Sequence, residues 1–278
     1  MRFTKMHGLG NDYLYVFGEV PENIKDLSVR LSERHFGAGS DGMIYIAPSE
    51  TADFRMRIFN ADGSEANMCG NGIRCVGKYV YDKGYTDKLN LAVETLSGIK
   101  YLKLQVSGGK VRTVAVEMGE AKVQEEQRLI LPGVSEAYLK TAGFAGSGFP
   151  DGVPVSVGNP HVVFFVNDAE QFPLDTIGPL VEHHSLFPGG VNAEFVQVLS
   201  GTRLRMRVWE RGSHITMACG TGACASVAAA IQKGFCREHV PVTVHLDGGD
   251  LTVTMEKGHR IIMEGPAEFV YEGETIDG

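Results

Sequence analysis

The chain states its central motif twice. Residues Phe54 to Gly84, FRMRIFNADGSEANMCGNGIRCVGKYVYDKG, fall without a gap on Leu204 to Gly234, LRMRVWERGSHITMACGTGACASVAAAIQKG, after a shift of 150 positions. Arg55, Met56 and Arg57 meet Arg205, Met206 and Arg207. Phe59 meets Trp209, and Cys69-Gly70 meets Cys219-Gly220. A period near half of a 278-residue chain predicts two similar halves, each large enough for a core of its own.

Within each copy the periodicity changes once. Phe54, Met56 and Ile58 alternate with Arg55 and Arg57, as a strand requires, and Leu204 to Trp209 repeats the alternation. A polar loop then leads to Cys-Gly, after which Ile73, Val76, Gly77 and Val80 step at helical spacing. The second helix, Ala223 to Lys233, is small and apolar on every side, which predicts an enclosed helix. Ahead of each copy come strands around a Gly-rich turn that carries an asparagine. Met1 to Lys5 and Tyr13 to Phe17 flank Asn11, and Val153 to Val157 and the run VVFFV flank Asn159. Helices are expected at Ile24 to His35 and Ile177 to Leu186, each followed by a strand, Met43 to Ala47 or Ala193 to Leu199. Gly37 to Gly42 spells G-x-G-x-x-G, but it follows a helix and opens a strand. That is the reverse of a dinucleotide site, so it reads as a turn.

After each central helix come strands divided by glycine turns, and the segment Glu120 to Gly152 is the least patterned. The expected fold is α/β (α+β), with two pseudo-symmetric halves. Each is a curled, mainly antiparallel β-barrel around a central helix. The last strand, Ala267 to Tyr271, has no partner left over in the second half and is expected to return to the first. The halves are therefore placed at residues 1–118 with 264–278, and at 119–263, with the active site in the cleft between them.

Composition removes several function classes. A net charge of −8 without a basic run argues against nucleic acid. No apolar run is long enough for a bilayer, and MRFTKMHGLGND lacks an apolar h-region, so a cytoplasmic protein with no membrane partner is expected. Cys69 and Cys75 with Cys219 and Cys224 lack the short-spaced pairs of a zinc site, so no metal is expected. Five cysteines in such a chain do not read as a disulfide framework either. Cys75, Cys224 and Cys236 read as small buried residues.

Cys69 and Cys219 read differently, because they recur at one place in a divergent duplication. A cysteine at a helix start meets unpaired N–H groups and the positive end of the helix dipole, which favour thiolate. The same N–H groups bind a carboxylate. If both thiols face one molecule, one thiolate removes a proton from a stereocentre and the other, a thiol, delivers one to the opposite face, so configuration inverts. Paired thiols make a pyridoxal cofactor unnecessary, and no cofactor is expected.

The runs FNADGSEANMCGNGIRC, GNPH and WERG followed by ACGTGA resemble the diaminopimelate epimerases, cofactor-independent members of the cysteine-dependent amino-acid racemases, over essentially the whole chain. The resemblance implies a homodimer that interconverts LL- and meso-diaminopimelate for lysine and peptidoglycan synthesis. By motif, Cys69 and Cys219 become the base and acid pair, with His161 and Glu210 assisting proton transfer. Gly70, Asn71, Gly220 and Thr221 would offer N–H groups to the reacting carboxylate. Asn11, Asn60, Asn159, Asn192 and Arg211 would hold the substrate, especially its distal amino-acid end, where the fork of an arginine pairs a carboxylate bidentately. The chain departs from the family at Gly212-Ser213-His214-Ile215, where a second glycine and often an acid are usual, and at Gly42, which replaces a glutamine of some members. Three other readings of the two thiols stay open: a racemase of another amino acid, a thiol-disulfide redox protein, and a two-lobed amino-acid binding protein.

Overall fold

The computed structural model describes residues 1–276; residues 277 and 278, the last two expected in the first half, lie outside them. The chain forms two compact units, Met1–Glu117 with Glu264–Gly278, and Met118–Met263.

In the first unit, strand Glu268–Glu274 pairs with Arg2–Gly8, which pairs antiparallel with Asn11–Phe17. Asn11–Phe17 runs parallel to Gly42–Pro48, which is antiparallel to Phe54–Asn60. Phe54–Asn60 runs parallel to Asn90–Thr95, and Gly98–Ser107 and Lys110–Glu120 continue antiparallel. The second unit repeats this pattern of senses through Asp151–Ser156, Pro160–Phe165, Asn192–Ser200, Arg203–Glu210, Val242–Leu246 and Gly249–Glu256. The order of strand senses thus repeats in both units, in line with the paired strands and helices read from the sequence.

All the strands belong to one hydrogen-bonded sheet, and the strands of each unit pack on its central helix, Gly70–Asp82 or Gly220–Gln232. Gly70 to Val80 is buried without a break, and so is most of the second helix. On the other face of the first unit's strands, helix Ile24–Ser32 packs Ile24 and Leu31 against Leu14, Met43 and Phe59. Helix Leu174–Glu182 does the same in the second unit with Ile177 and Val181 against Phe195 and Trp209. Strands covered on both faces need apolar side chains on both, which is why YLYV and VVFF do not alternate while RMRIF does.

The boundaries differ from the sequence expectation in physical detail. The first outer helix stops at Ser32, three residues early, and Gly37, Ala38 and Gly39 fold back onto Leu31 and Glu33 carbonyls. The second starts three residues early, at Leu174, directly after Pro173, a residue that suits a helix start. The unpatterned segment holds a short helix, Glu136–Thr141, capped by the Ser135 hydroxyl, which accepts from Tyr138 N at 3.2 Å. Among the described residues no helix is long and apolar enough to cross a membrane.

Candidate active site

Both thiols cap their helices. Cys69 and Cys219 have extended backbones, and each Sγ accepts the N–H three residues on, from Gly72 at 3.3 Å and from Gly222 at 3.4 Å. A sulfur thus fills the place that serine or aspartate usually takes. The other first-turn N–H groups, on Gly70 and Asn71 or on Gly220 and Thr221, have no carbonyl within their own helix, so the start of each helix suits an anion.

The first thiol centre joins Cys69 to Asn11. The thiol donates to Asn11 Oδ1 at 3.3 Å, while Asn11 Nδ2 donates to Asp41 Oδ2 at 2.8 Å. Asp41 is held in turn by Arg34 at 2.9 Å, and Arg34 also reaches Asp12, which pairs with Lys5 at 2.7 Å. This chain of charges aims the Asn11 amide. Tyr13 stands beside Cys69, and burial, with the charges of Cys69 and Asp41 adding to it, pushes its phenol well above the ordinary range, so it stays protonated. Asn71 is buried in the first helical turn. Asn60, at the end of its strand, donates to Ser64 Oγ at 3.1 Å.

The second thiol centre is a longer hydrogen-bonded chain. Cys219 Sγ lies 3.7 Å from Thr221 Oγ1, which accepts from Asn159 Nδ2 at 3.3 Å. Asn159 Oδ1 meets His161 Nε2 at 3.0 Å, and His161 Nδ1 meets Glu194 Oε1 at 2.7 Å. Glu210, accepting from the Thr216 hydroxyl, is near enough for its charge to act on both Cys219 and Glu194. Asn192 braces the neighbouring loop by donating to Pro160 O at 3.0 Å and accepting from Arg211 N at 2.9 Å. The Arg211 guanidinium bonds Gly189 O at 3.0 Å, and Glu182 ties the following residue, Gly212, to Trp209.

The helix-start argument alone predicts a lowered thiol pKa at Cys219, and the structure overturns it. Burial pushes this thiol well above its ordinary value, the charges of Glu210 and Glu194 push it further, and the Thr221 and Gly222 hydrogen bonds only oppose them. Cys75, buried behind the first centre, is raised to about 11, chiefly by burial.

Three residues at these centres escape sequence reasoning: Tyr13, Asp41 and Glu194. Asp41 and Tyr13 lie inside segments read as a turn and a strand. Glu194 follows Ala193 in a run that reads as an ordinary strand, and only its partner 33 residues away gives it meaning. Gly42 has φ +153°, and a Cβ there would lie 2.1 Å from Phe59 O. The glutamine of some family members has no room on this backbone.

The family model for diaminopimelate epimerase matches residues 3–124 and 153–270. Relatives named diaminopimelate epimerase include one from Acetivibrio thermocellus, 51% identical, covering 99% of this chain and 98% of its own. Another, from Methanococcus maripaludis, is 50% identical and covers 99% of both chains. The one from Bacillus subtilis is 46% identical, covering 98% of this chain and 97% of its own. Among solved structures, a Bacillus anthracis phenazine biosynthesis protein of the PhzF family aligns with a TM-score of 0.77 at 17% identity over 99% of both chains. A hydroxyproline epimerase from Agrobacterium vitis aligns with a TM-score of 0.67 at 17% identity, over 98% of this chain and 91% of its own. At such identities these two speak for the fold.

Proposed function

The chain belongs to the diaminopimelate epimerase family, and from that premise we propose that it interconverts LL- and meso-diaminopimelate with Cys69 and Cys219 as its two proton-transfer groups. The observation that carries this reading is the repeated thiol cap: two sulfurs, each at the N-terminus of a buried helix and each bonded to the N–H three residues on.

The α-hydrogen of an amino acid is a weak acid, so the reaction needs a base on one face and an acid on the other. One cysteine, as thiolate, takes the α-proton, and the C–H electron pair passes into the carboxylate as an enediolate-like charge. The opposite cysteine, as thiol, gives its S–H proton to the other face, so the pair ends with the charge exchanged. The N–H groups of Gly70, Asn71, Gly220 and Thr221 face that carboxylate, where developing charge is greatest. Glu210 and His161 assist at the thiols. Asn11, Asn60, Asn159, Asn192 and Arg211 bind the substrate, with Arg211 on the distal carboxylate. Nothing in this scheme calls for a cofactor. The reading extends to a cytoplasmic homodimer in lysine and peptidoglycan precursor synthesis.

The test is solvent exchange. Reduced protein without added cofactor is given LL-diaminopimelate in D2O and followed by NMR beside Cys69→Ala and Cys219→Ala. The expected result is meso product labelled at the α-carbon, with inversion lost in both variants. Inversion that survives either substitution would overturn the two-thiol scheme, and exchange with other amino acids but not with diaminopimelate would overturn the substrate.

A further inference from the structure

Behind the second thiol centre, strand Asn192–Ser200 carries a glutamate that the proposed chemistry does not use. The Glu194 and His161 side chains have no exposed surface, and Glu194 Oε2 has no hydrogen-bond partner. Oε1 sits close to the start of the Cys219 helix, since a Cβ added at Gly222 would lie 2.8 Å from it and 3.2 Å from Cys219 Sγ. Among the titratable groups around this carboxyl, His161 favours its charged form, whereas Glu210 disfavours it, and Cys219 and Glu194 oppose each other's ionisation.

The donors and acceptors along the chain leave one economical assignment. Asn159 Nδ2 donates to Thr221 Oγ1, so it is Asn159 Oδ1 that faces His161 Nε2. A carbonyl oxygen accepts, and Nε2 therefore carries hydrogen. In a neutral imidazole Nδ1 is then an acceptor, so Glu194 Oε1 must supply the proton between them. The other arrangement, imidazolium against carboxylate, leaves an ionised carboxylate buried with one bare oxygen and sets its charge against Glu210. Burial, with the Glu210 charge adding, pushes Glu194 above the ordinary carboxylate range and so agrees with the neutral form.

We propose that Glu194 is a neutral carboxylic acid that positions this centre: it donates to His161 Nδ1, locks the Nε2–H tautomer, and so turns Asn159 to present amide N–H toward Thr221 and Cys219. Glu194 acts through His161 and is a positioning residue. An N–H presented there favours a thiolate or a substrate carboxylate over a neutral group, which is the polarity that proton abstraction at Cys219 requires. The assignment rests on the reading of Cys219 as a reacting thiol.

Glutamine can donate to Nδ1 as a carboxylic acid does, whereas leucine cannot, although it fills a similar volume. Native protein, Glu194→Gln and Glu194→Leu are labelled with 15N-histidine and their imidazole tautomers read at the pH of the activity assay, with His161 identified by the loss of its signals in His161→Gln. The Nε2–H tautomer is expected in native protein and in Glu194→Gln, and mixed tautomers in Glu194→Leu. Epimerase kcat/KM should stay within about threefold in the glutamine variant and fall about 10- to 100-fold in the leucine variant, with a thermal melt confirming that the latter folds. Loss of activity in Glu194→Gln equal to that in Glu194→Leu, full activity in folded Glu194→Leu, or an imidazolium at His161 in native protein would each overturn the proposal. Should Glu194→Leu fail to fold, the native and glutamine spectra decide alone. Native protein that shows the tautomer but no epimerisation would sink the functional reading and leave the positioning role standing.

Discussion

The two thiol centres share a backbone and differ in what surrounds the sulfur. Both cysteines cap a helix through the N–H three residues on, at 3.3 and 3.4 Å. The register that sets Leu14 beside Met43 and Val162 beside Ala193 makes Tyr13 the counterpart of His161. The shift of 150 makes Ile44 the counterpart of Glu194. A Cβ at Gly72 would meet Ile44 Cδ1 at 2.7 Å where one at Gly222 would meet Glu194 Oε1 at 2.8 Å. The asparagines are turned in opposite senses. Asn11 offers its carbonyl to the Cys69 thiol, its N–H being held by Asp41, whereas Asn159 offers N–H to Thr221, its carbonyl being held by His161. One centre therefore welcomes a thiol's proton and the other supplies hydrogen-bond donors. A duplicated frame thus provides two sulfurs in matching positions, and the side chains behind them make the two centres differ.

The largest effect expected from breaking this comparison is at the sulfurs. Because each face needs its own proton-transfer group, Cys69→Ala and Cys219→Ala should each lower kcat by at least about 10³-fold. Steady-state inversion assays on both, side by side, check that neither centre works alone.

Next comes the exchange of the groups behind them. Ile44→Glu places a carboxyl where the counterpart of His161 is Tyr13, and should cost about 3–5 kcal/mol in a urea titration. Equal stability to the native protein would show that the first centre tolerates the second centre's chemistry.

The helix-start glycines give a subtler contrast. Gly222→Ala presses on Cys219 Sγ and on a Glu194 oxygen pinned by His161, whereas Gly72→Ala presses on the free end of an isoleucine. The alanine at 222 should therefore lower kcat by roughly tenfold more than the one at 72, a difference of about 1.4 kcal/mol, read from kcat at saturating substrate.

The smallest effect is in pH. Glu210 raises the Cys219 pKa, so Glu210→Gln should move the alkaline rise of kcat/KM to lower pH even as kcat falls. Stability carries the same sign. A thiol raised on folding contributes stability that is complete below its unfolded pKa and is lost as pH climbs through the folded one. For Cys75, held at about 11 from a reference of 9.0, the loss falls between about pH 9 and 11 and amounts to roughly 3 kcal/mol. Denaturant midpoints should fall accordingly across that window, and fall less in Cys75→Ala.

Much of this was legible before the structure. The gapless repeat and the change from alternating to helical spacing at Cys-Gly are local patterns, and they located both central helices and both thiols. Asn11 and Asn159 were marked by their turns. The outer-helix limits shifted by a few residues, since chain folding back onto open carbonyls stops one helix and a proline starts the other. The elevated Cys219 thiol was not legible, because a helix start acts through neighbouring residues whereas burial, Glu210 and Glu194 act through space.

The sequence by itself determined the doubling, the strand and helix order within each copy, and the two cysteines at helix starts, because each depends on residues within a turn or two of one another. Only the tertiary structure decided that Asn11 turns its carbonyl to the Cys69 thiol while Asn159 turns its N–H to Thr221, and what stands behind each. Those choices depend on partners such as Asp41, 30 residues from Asn11, and Glu194, 33 from His161, brought together by parallel strand pairing and by burial that gives a single proton its consequence.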